Sequence, residues 1–145
     1  AWSERVLREA DVDVAMFAIN FADHHTYGFD QGVLAAAVAQ NTGIAAMKVF
    51  GGAVAMKYET TEEEKSRPSA LRDLDADFDH EQALRWSLSL EGVSLAVLGM
   101  YSQEELAQNI EWVQRLQPLS VAEEKVLREK GQTFATRLGA HYGDV

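Results

Sequence analysis

The side chains able to do chemistry gather in three places, each directly after an apolar run: Asn20 with Asp23, His24 and His25; Lys48 ahead of Phe50, Gly51 and Gly52; and Gly99 with Met100 and Ser102. A lysine before a glycine pair sets a cation beside backbone that a ligand can approach closely, which suits a phosphate or a substrate anion. The competing reading is a strand-end lysine that simply lifts its ammonium into water. Gly99, followed by Ser102 and Glu105, makes a glycine turn into a capped helix, whose unsatisfied amides and positive dipole end suit a pyrophosphate. Every βα loop needs some such turn, so the ordinary structural reading stays open beside it. His24 and His25 beside Asp23 have ligand chemistry, but neighbours on an extended loop diverge and no third ligand is spaced with them; no metal is expected. Asp73, Asp75 and Asp77 imitate the opening of a calcium loop. Phe78 replaces the glycine that loop needs and Leu84 the closing glutamate, which leaves a solvated acidic turn. The glutamate run at 62–64 is a solvated face of the same kind.

Parallel strands would bring these clusters together. The stretch 79–110 holds a helix, an apolar strand and another helix with almost no linker. Within it Val93, Ser94, Leu95, Ala96, Val97 and Leu98 lie between Gly92 and Gly99, a run too short for a helix and too uniformly apolar for a half-exposed strand. It reads as a parallel strand covered on both faces. The run 12–19, broken only by Asp13, reads the same way, and 44–49 is the strand between them. Asp30 can cap a helix in which Val33, Leu34, Ala37 and Val38 recur at helical spacing before Gly43. A helix between two apolar strands is a βαβ unit, whose handedness puts both strands in one parallel sheet.

The remaining elements follow from caps and stripes. A helix over 79–90 turns Ala83, Leu84 and Leu88 inward and leaves Gln82 and Arg85 to solvent. Ser102 and Glu105 form a capping box opening a helix with Leu106, Ile110 and Val113 on one stripe, closed by Pro118. Ser120 and Glu123 form a second box, opening a terminal helix whose Val126, Leu127, Phe134 and Leu138 face inward. The segment 50–78 is an irregular loop or flap, with 70–77 open between short helix and loop.

Composition narrows the classes. The 145 residues, 47% hydrophobic, suffice for one core, so a single domain over 1–145 is expected. A net charge of −10 opposes binding to nucleic acid or an anionic bilayer, either of which needs gathered lysine and arginine. No stretch approaches the ~20 apolar residues of a membrane span, and no basic segment leads into an apolar one. The absence of cysteine removes disulfides and thiolate chemistry and is compatible with a cytoplasmic location.

The order of motifs resembles the C-terminal part of the aldo/keto reductase family. The run from Leu84 to Ser94, the strand, Leu98-Gly99-Met100, Ser102, Glu105, Leu106 and Asn109 is similar to that family's eighth barrel strand and following helix. Residues 43–52 are similar to the seventh strand and its loop, and 13–20 to the sixth. The resemblance implies a partial (β/α)8 TIM barrel of about three parallel strands with flanking helices. It implies NAD(P) as cofactor and reduction of aldehydes or ketones in an intact relative. Lys48, Phe50, Gly51, Gly99, Met100, Ser102, Gln108 and Asn109 would then lie along the cofactor and Asn20 on the substrate side. Gln108 replaces the acid of the family's acid-Asn pair at the adenine. Gly99 and Glu105 stand where NADP-preferring members carry basic residues, so no NADPH preference is expected. Met47 and Met16 replace the aromatic ring and the glutamine that many members place at the nicotinamide.

The family's catalytic tyrosine, lysine, aspartate and histidine belong to early strands outside this sequence, and Tyr27, Tyr58 and Tyr101 do not match the tyrosine position. The chain alone is therefore expected to be inactive. It begins at Ala1 in what reads as the end of a helix, as though mid-fold. A full barrel needs ~250 residues, and an arc of three strands leaves two edges and an apolar face bare. The expectation is a homo-oligomer or completion by missing barrel segments in trans; the rival is a non-catalytic self-associating or partner-binding protein.

Overall fold

A computed structural model describes residues 2–52 and 70–143. Of the segment expected to be a flap, only the two ends are therefore described; Tyr58, the glutamates at 62–64 and Pro68 lie outside the described residues.

The chain runs α1 (Trp2–Glu9), β1 (Val14–Ala18), α2 (Asp23–Thr26), α3 (Gly32–Ala39), β2 (Gly43–Met47), α4 (His80–Ser89), β3 (Val93–Ala96), α5 (Gln103–Gln114) and α6 (Val121–Leu138), with a 3-10 turn at Arg72–Leu74. The three strands form one parallel sheet in the order β1-β2-β3. Sequential order with right-handed crossovers sends the connecting helices α3 and α4 over the same face. Ala15, Phe17, Ile44, Ala46, Val93, Ala96 and Leu98 accordingly pack against Leu7 of α1, Val33 and Leu34 of α3 and Leu84 of α4. A second cluster, Phe21, Phe78, Trp86, Leu127 and Phe134, fastens α6 to α4 and to the chain after β1. No helix among the described residues is long and apolar enough to cross a membrane.

The outer strands depart from the doubly covered state their composition suggested. On β1, Val14 is 65% and Met16 56% exposed, and on the β3 side Leu95 is 49% and Val97 47% exposed. Only β2, flanked on both sides, buries its middle. No described element covers this second sheet face, and burying each of these side chains would add on the order of 1 kcal/mol. Register contributes too. Ile44 pairs with Val93 but Ala45 with Leu95, so Ser94 is an extra residue and the alternation restarts after it.

Caps worked as their chemistry predicts where local bonding decides. Ser120 and Glu123 form the full reciprocal box on α6, and Asp79 accepts from the Gln82 amide to start α4. Ser102 accepts from the Glu105 amide, while Glu105 returns its carboxylate to the Tyr101 amide instead of its own cap. Asp30 caps nothing: α3 begins after Gln31, because Asp30 is bound to His24 at 2.6 Å. The stripe Leu106, Ile110 and Val113 lies exposed, as does Val126; α5 instead turns Asn109 and Trp112 inward. Arg85 is not left to solvent. It reaches across to Glu123 at 2.7 Å and to the carbonyls of Gln117 and Pro118.

Two outcomes follow from α6. Its Gly131 lies on the chain at Phe21, where a β-carbon would come within 2.1 Å of the Phe21 carbonyl oxygen. Gly131→Ala is expected to destabilise by about 3 kcal/mol in urea denaturation. Glu123 is held down to about 2, first by Arg85 and then by Ser120. A depressed carboxyl contributes stability above its ordinary value and loses it as pH falls from 4.5 towards 2. Acid titration followed by far-UV circular dichroism should show α6 loosening in that interval, and Glu123→Gln should flatten the response.

Candidate functional site

Parallel pairing places the ends of β1, β2 and β3 along one rim, and the polar groups that follow each strand meet there. Asn20, just past β1 and 1% exposed, spends its whole carboxamide on this rim. Its Oδ1 accepts from the amides of Ala22 and Asp23, at 3.0 and 2.8 Å. Its Nδ2 donates to Asp23 Oδ2 at 2.6 Å and to the Lys48 carbonyl at 3.0 Å. That carbonyl also accepts from the Gly51 amide at 2.7 Å. One side chain thus starts α2 and ties the end of β1 to the end of β2, with no donor or acceptor left over for a substrate.

Lys48 occupies left-handed backbone at φ 58°, which turns the chain sharply and leaves its side chain exposed. No ion pair involves it among the described residues. Phe50 packs edge-on to His80 and Phe78, with ring centroids 4.9 and 6.4 Å away. Burial, and after it the charge on Arg72, hold His80 below the ordinary imidazole value. Gly51 is required by geometry: its φ is 83° and a β-carbon would meet Leu71 Cγ at 2.7 Å.

The second group sits beside this one, where Val97 donates to the Ala46 carbonyl at 2.7 Å. Gly99 and Met100 are exposed and Ser102 half-buried. The first turn of α5 presents two carboxylates of its own. Glu104 is held below its ordinary value by its own amide and then by Ser102, and Glu105 binds the Tyr101 amide. Gln108 points outward to Glu111. Asn109 lies buried, and its Oδ1 has no hydrogen-bond partner.

Several rim residues drew no functional role from the sequence. Asp23 is 3% exposed at its side chain and faces His141 at 3.5 Å. Burial raises its carboxyl above the ordinary value; Asn20, then His141 and Tyr142, oppose that, and Asp30 adds to it. Burial, followed by the charge of Asp23, likewise pushes the Tyr142 hydroxyl up. His24 links Asp30 to Arg128, at 2.6 Å on each ring nitrogen. Since a guanidinium can only donate, Nε2 accepts and Nδ1 carries the proton. Arg128 lies over the Trp86 ring at 5.1 Å. Both nitrogens of His24 are therefore engaged within the protein, and no group of three metal-ligating side chains occurs among the described residues. Tyr142 lies 115 residues from Tyr27 and 91 from Gly51, and His141 is as far from Asp23; a short tail beyond a helix-ending glycine was their only local signal.

Chemically, the rim offers the Lys48 ammonium, without an ion-pair partner among the described residues, a glycine loop approachable at its backbone, and a set of buried proton-holding groups beneath them. No family model, no curated protein and no solved structure matches the chain.

Removing the Asn20 carboxamide would strand two buried amides and one oxygen of Asp23, and leave the Lys48 carbonyl with the Gly51 amide alone. Asn20→Ala is expected to cost about 3 kcal/mol or more in chemical denaturation; a loss under about 1 kcal/mol would show that these groups find other partners.

Proposed function

We propose that this chain is the nucleotide-side arc of an aldo/keto reductase-like (β/α)8 barrel. The carrying observation is the sheet itself: three parallel strands in sequential order, helices packed on one face, and an apolar opposite face exposed through Val14, Met16, Leu95 and Val97. Strands arranged in this way suit an arc of a closed cylinder whose interior is apolar.

In this reading the rim receives NAD(P)H. Lys48 offers a cation to the phosphates, and Gly51 and Gly52 allow their close approach. The buried amide of Asn109, whose oxygen is unpaired, is the adenine-side contact. The cofactor supplies the hydride chemistry, while the protein orients it and tunes its electrostatics. Completion of the barrel by further βα units, or by copies of this chain, covers the bare face. The proton donor is then supplied from outside this sequence, so the chain alone does not reduce carbonyls.

A second reading has its own observation. Leu106, Ile110 and Val113 form an exposed stripe along α5 flanked by carboxylates and no basic residue. That surface suits a non-catalytic protein that associates through it.

Sedimentation velocity and an NADH fluorescence titration separate the two. The nucleotide reading expects an associated species that binds NADH, with affinity lowered about tenfold by Lys48→Ala, the loss of one charge-assisted contact. Association without binding favours the second reading. A dispersed monomer that binds no nucleotide would overturn both.

A further inference from the structure

The chain after α6 turns back over the rim, and the manner in which it is held is specific. It starts and ends on glycines in left-handed backbone, Gly139 at φ 60° and Gly143 at φ 99°. Both ends are hydrogen-bonded: the Gly139 amide donates to the Ala135 carbonyl at 2.9 Å and the Gly143 amide to the Ala140 carbonyl at 3.1 Å, while the Tyr27 hydroxyl donates to the Gly143 carbonyl at 3.4 Å. Between them the Tyr142 amide donates to the Tyr27 hydroxyl at 2.6 Å. The Tyr142 ring stacks on Tyr27 at 5.4 Å, and Tyr27 in turn on Phe29 at 5.3 Å. The Tyr142 hydroxyl donates to the Gly51 carbonyl at 2.8 Å. The same hydroxyl and Lys48 Cε lie 3.4 and 3.5 Å from where a Gly52 β-carbon would stand. The segment therefore covers the glycine loop beside the rim's cation.

One contact beneath it depends on a proton. His141 Nδ1 faces the Gly139 carbonyl at 3.1 Å and must be the donor there. Its Nε2 faces Asp23 Oδ1 at 3.5 Å, with the two side chains 1% and 3% exposed. Neither of these atoms has a hydrogen-bond partner. A neutral imidazole with its proton on Nδ1 would turn a lone pair at the carboxylate. The contact is attractive only while the imidazole is charged or the carboxyl protonated.

We propose that residues 139–143 form a proton-held latch over the Gly51 and Gly52 loop, seated while the contact between Asp23 and His141 holds a proton and released when that proton is lost. Neighbouring groups also act on the carboxylate. Asn20 donates to the other oxygen of Asp23, Tyr142 steadies the carboxylate, and Asp30, itself bound to His24, repels it. The geometry fixes the sign: with Nδ1 committed to the Gly139 carbonyl, losing the proton sets the Nε2 lone pair against a carboxylate. The seated state keeps that proton more firmly than the released state does, so seating weakens as pH rises through the interval from the ordinary carboxylate value upward. The latch stands on these contacts alone; that it guards a ligand site rests on the nucleotide reading above.

Hydrogen exchange of the Tyr142 amide in the full chain, corrected for intrinsic rate, tests this between about pH 4 and about pH 9, a range that opens at the ordinary carboxylate value. Protection is expected to fall about tenfold or more as pH rises, with the protection of β2 unchanged. His141→Gln should abolish the pH response, and Tyr142→Phe should lower protection while keeping it. Protection independent of pH in the natural chain, or a full response in His141→Gln, would overturn the latch. NADH titrations run alongside keep the two readings apart: a pH-responsive latch with no nucleotide binding at any pH supports the latch and removes the nucleotide reading.

Discussion

A parallel sheet has two faces to remove from water, and the described helices of this protein cover only one. That asymmetry arranges the rest. Because the strands run in sequential order, α1, α3 and α4 gather on the face built from Phe17, Ile44 and Ala46. Because all three strands point the same way, their polar ends share one rim. The apolar residues left over, Met16 and Leu95 foremost, are the ones an additional layer would bury.

Along the rim, order comes from saturating buried polar groups. Asn20 answers four backbone and side-chain partners at once, and the chain from His24 through Arg128 fixes a neutral tautomer between an acid and a guanidinium. In an apolar surrounding each unmade bond costs more than a made one contributes. Such networks therefore hold a single geometry. One oxygen each of Asp30 and Asn109 stays unpaired, and at the contact between Asp23 and His141 proximity without a good hydrogen bond leaves the balance to a proton.

Much of this architecture was legible in the sequence because it is local. The three apolar runs became the three strands, the Ser120 box formed as written, and Gly51 fell on a left-handed turn. What could not be read was the surroundings of each element. Val93 to Leu98 is apolar throughout, and composition cannot tell a strand sheathed on both sides from one at an edge whose neighbour is missing. Arg85 looked like a solvent-facing residue of its helix, yet α6, far along the chain, supplies Glu123. Asp30 was a plausible cap until His24 claimed it. At the candidate site, the glycines and Lys48 were identifiable by type; the role of Asn20 as a tie between strands, and the arrival of His141 and Tyr142 on the rim, depend on contacts between distant parts of the chain.

The additional residue at Ser94 carries a consequence for comparing this chain with any other. It inverts parity along β3: Val93, Ala96 and Leu98 pack with the helices, whereas Leu95 and Val97 look the opposite way. A homologue one residue shorter there would show the same odd-and-even pattern on paper while presenting the reverse set of side chains to its core. Matching such sequences without a gap at that spot would superimpose inner positions on outer ones from Ser94 onward.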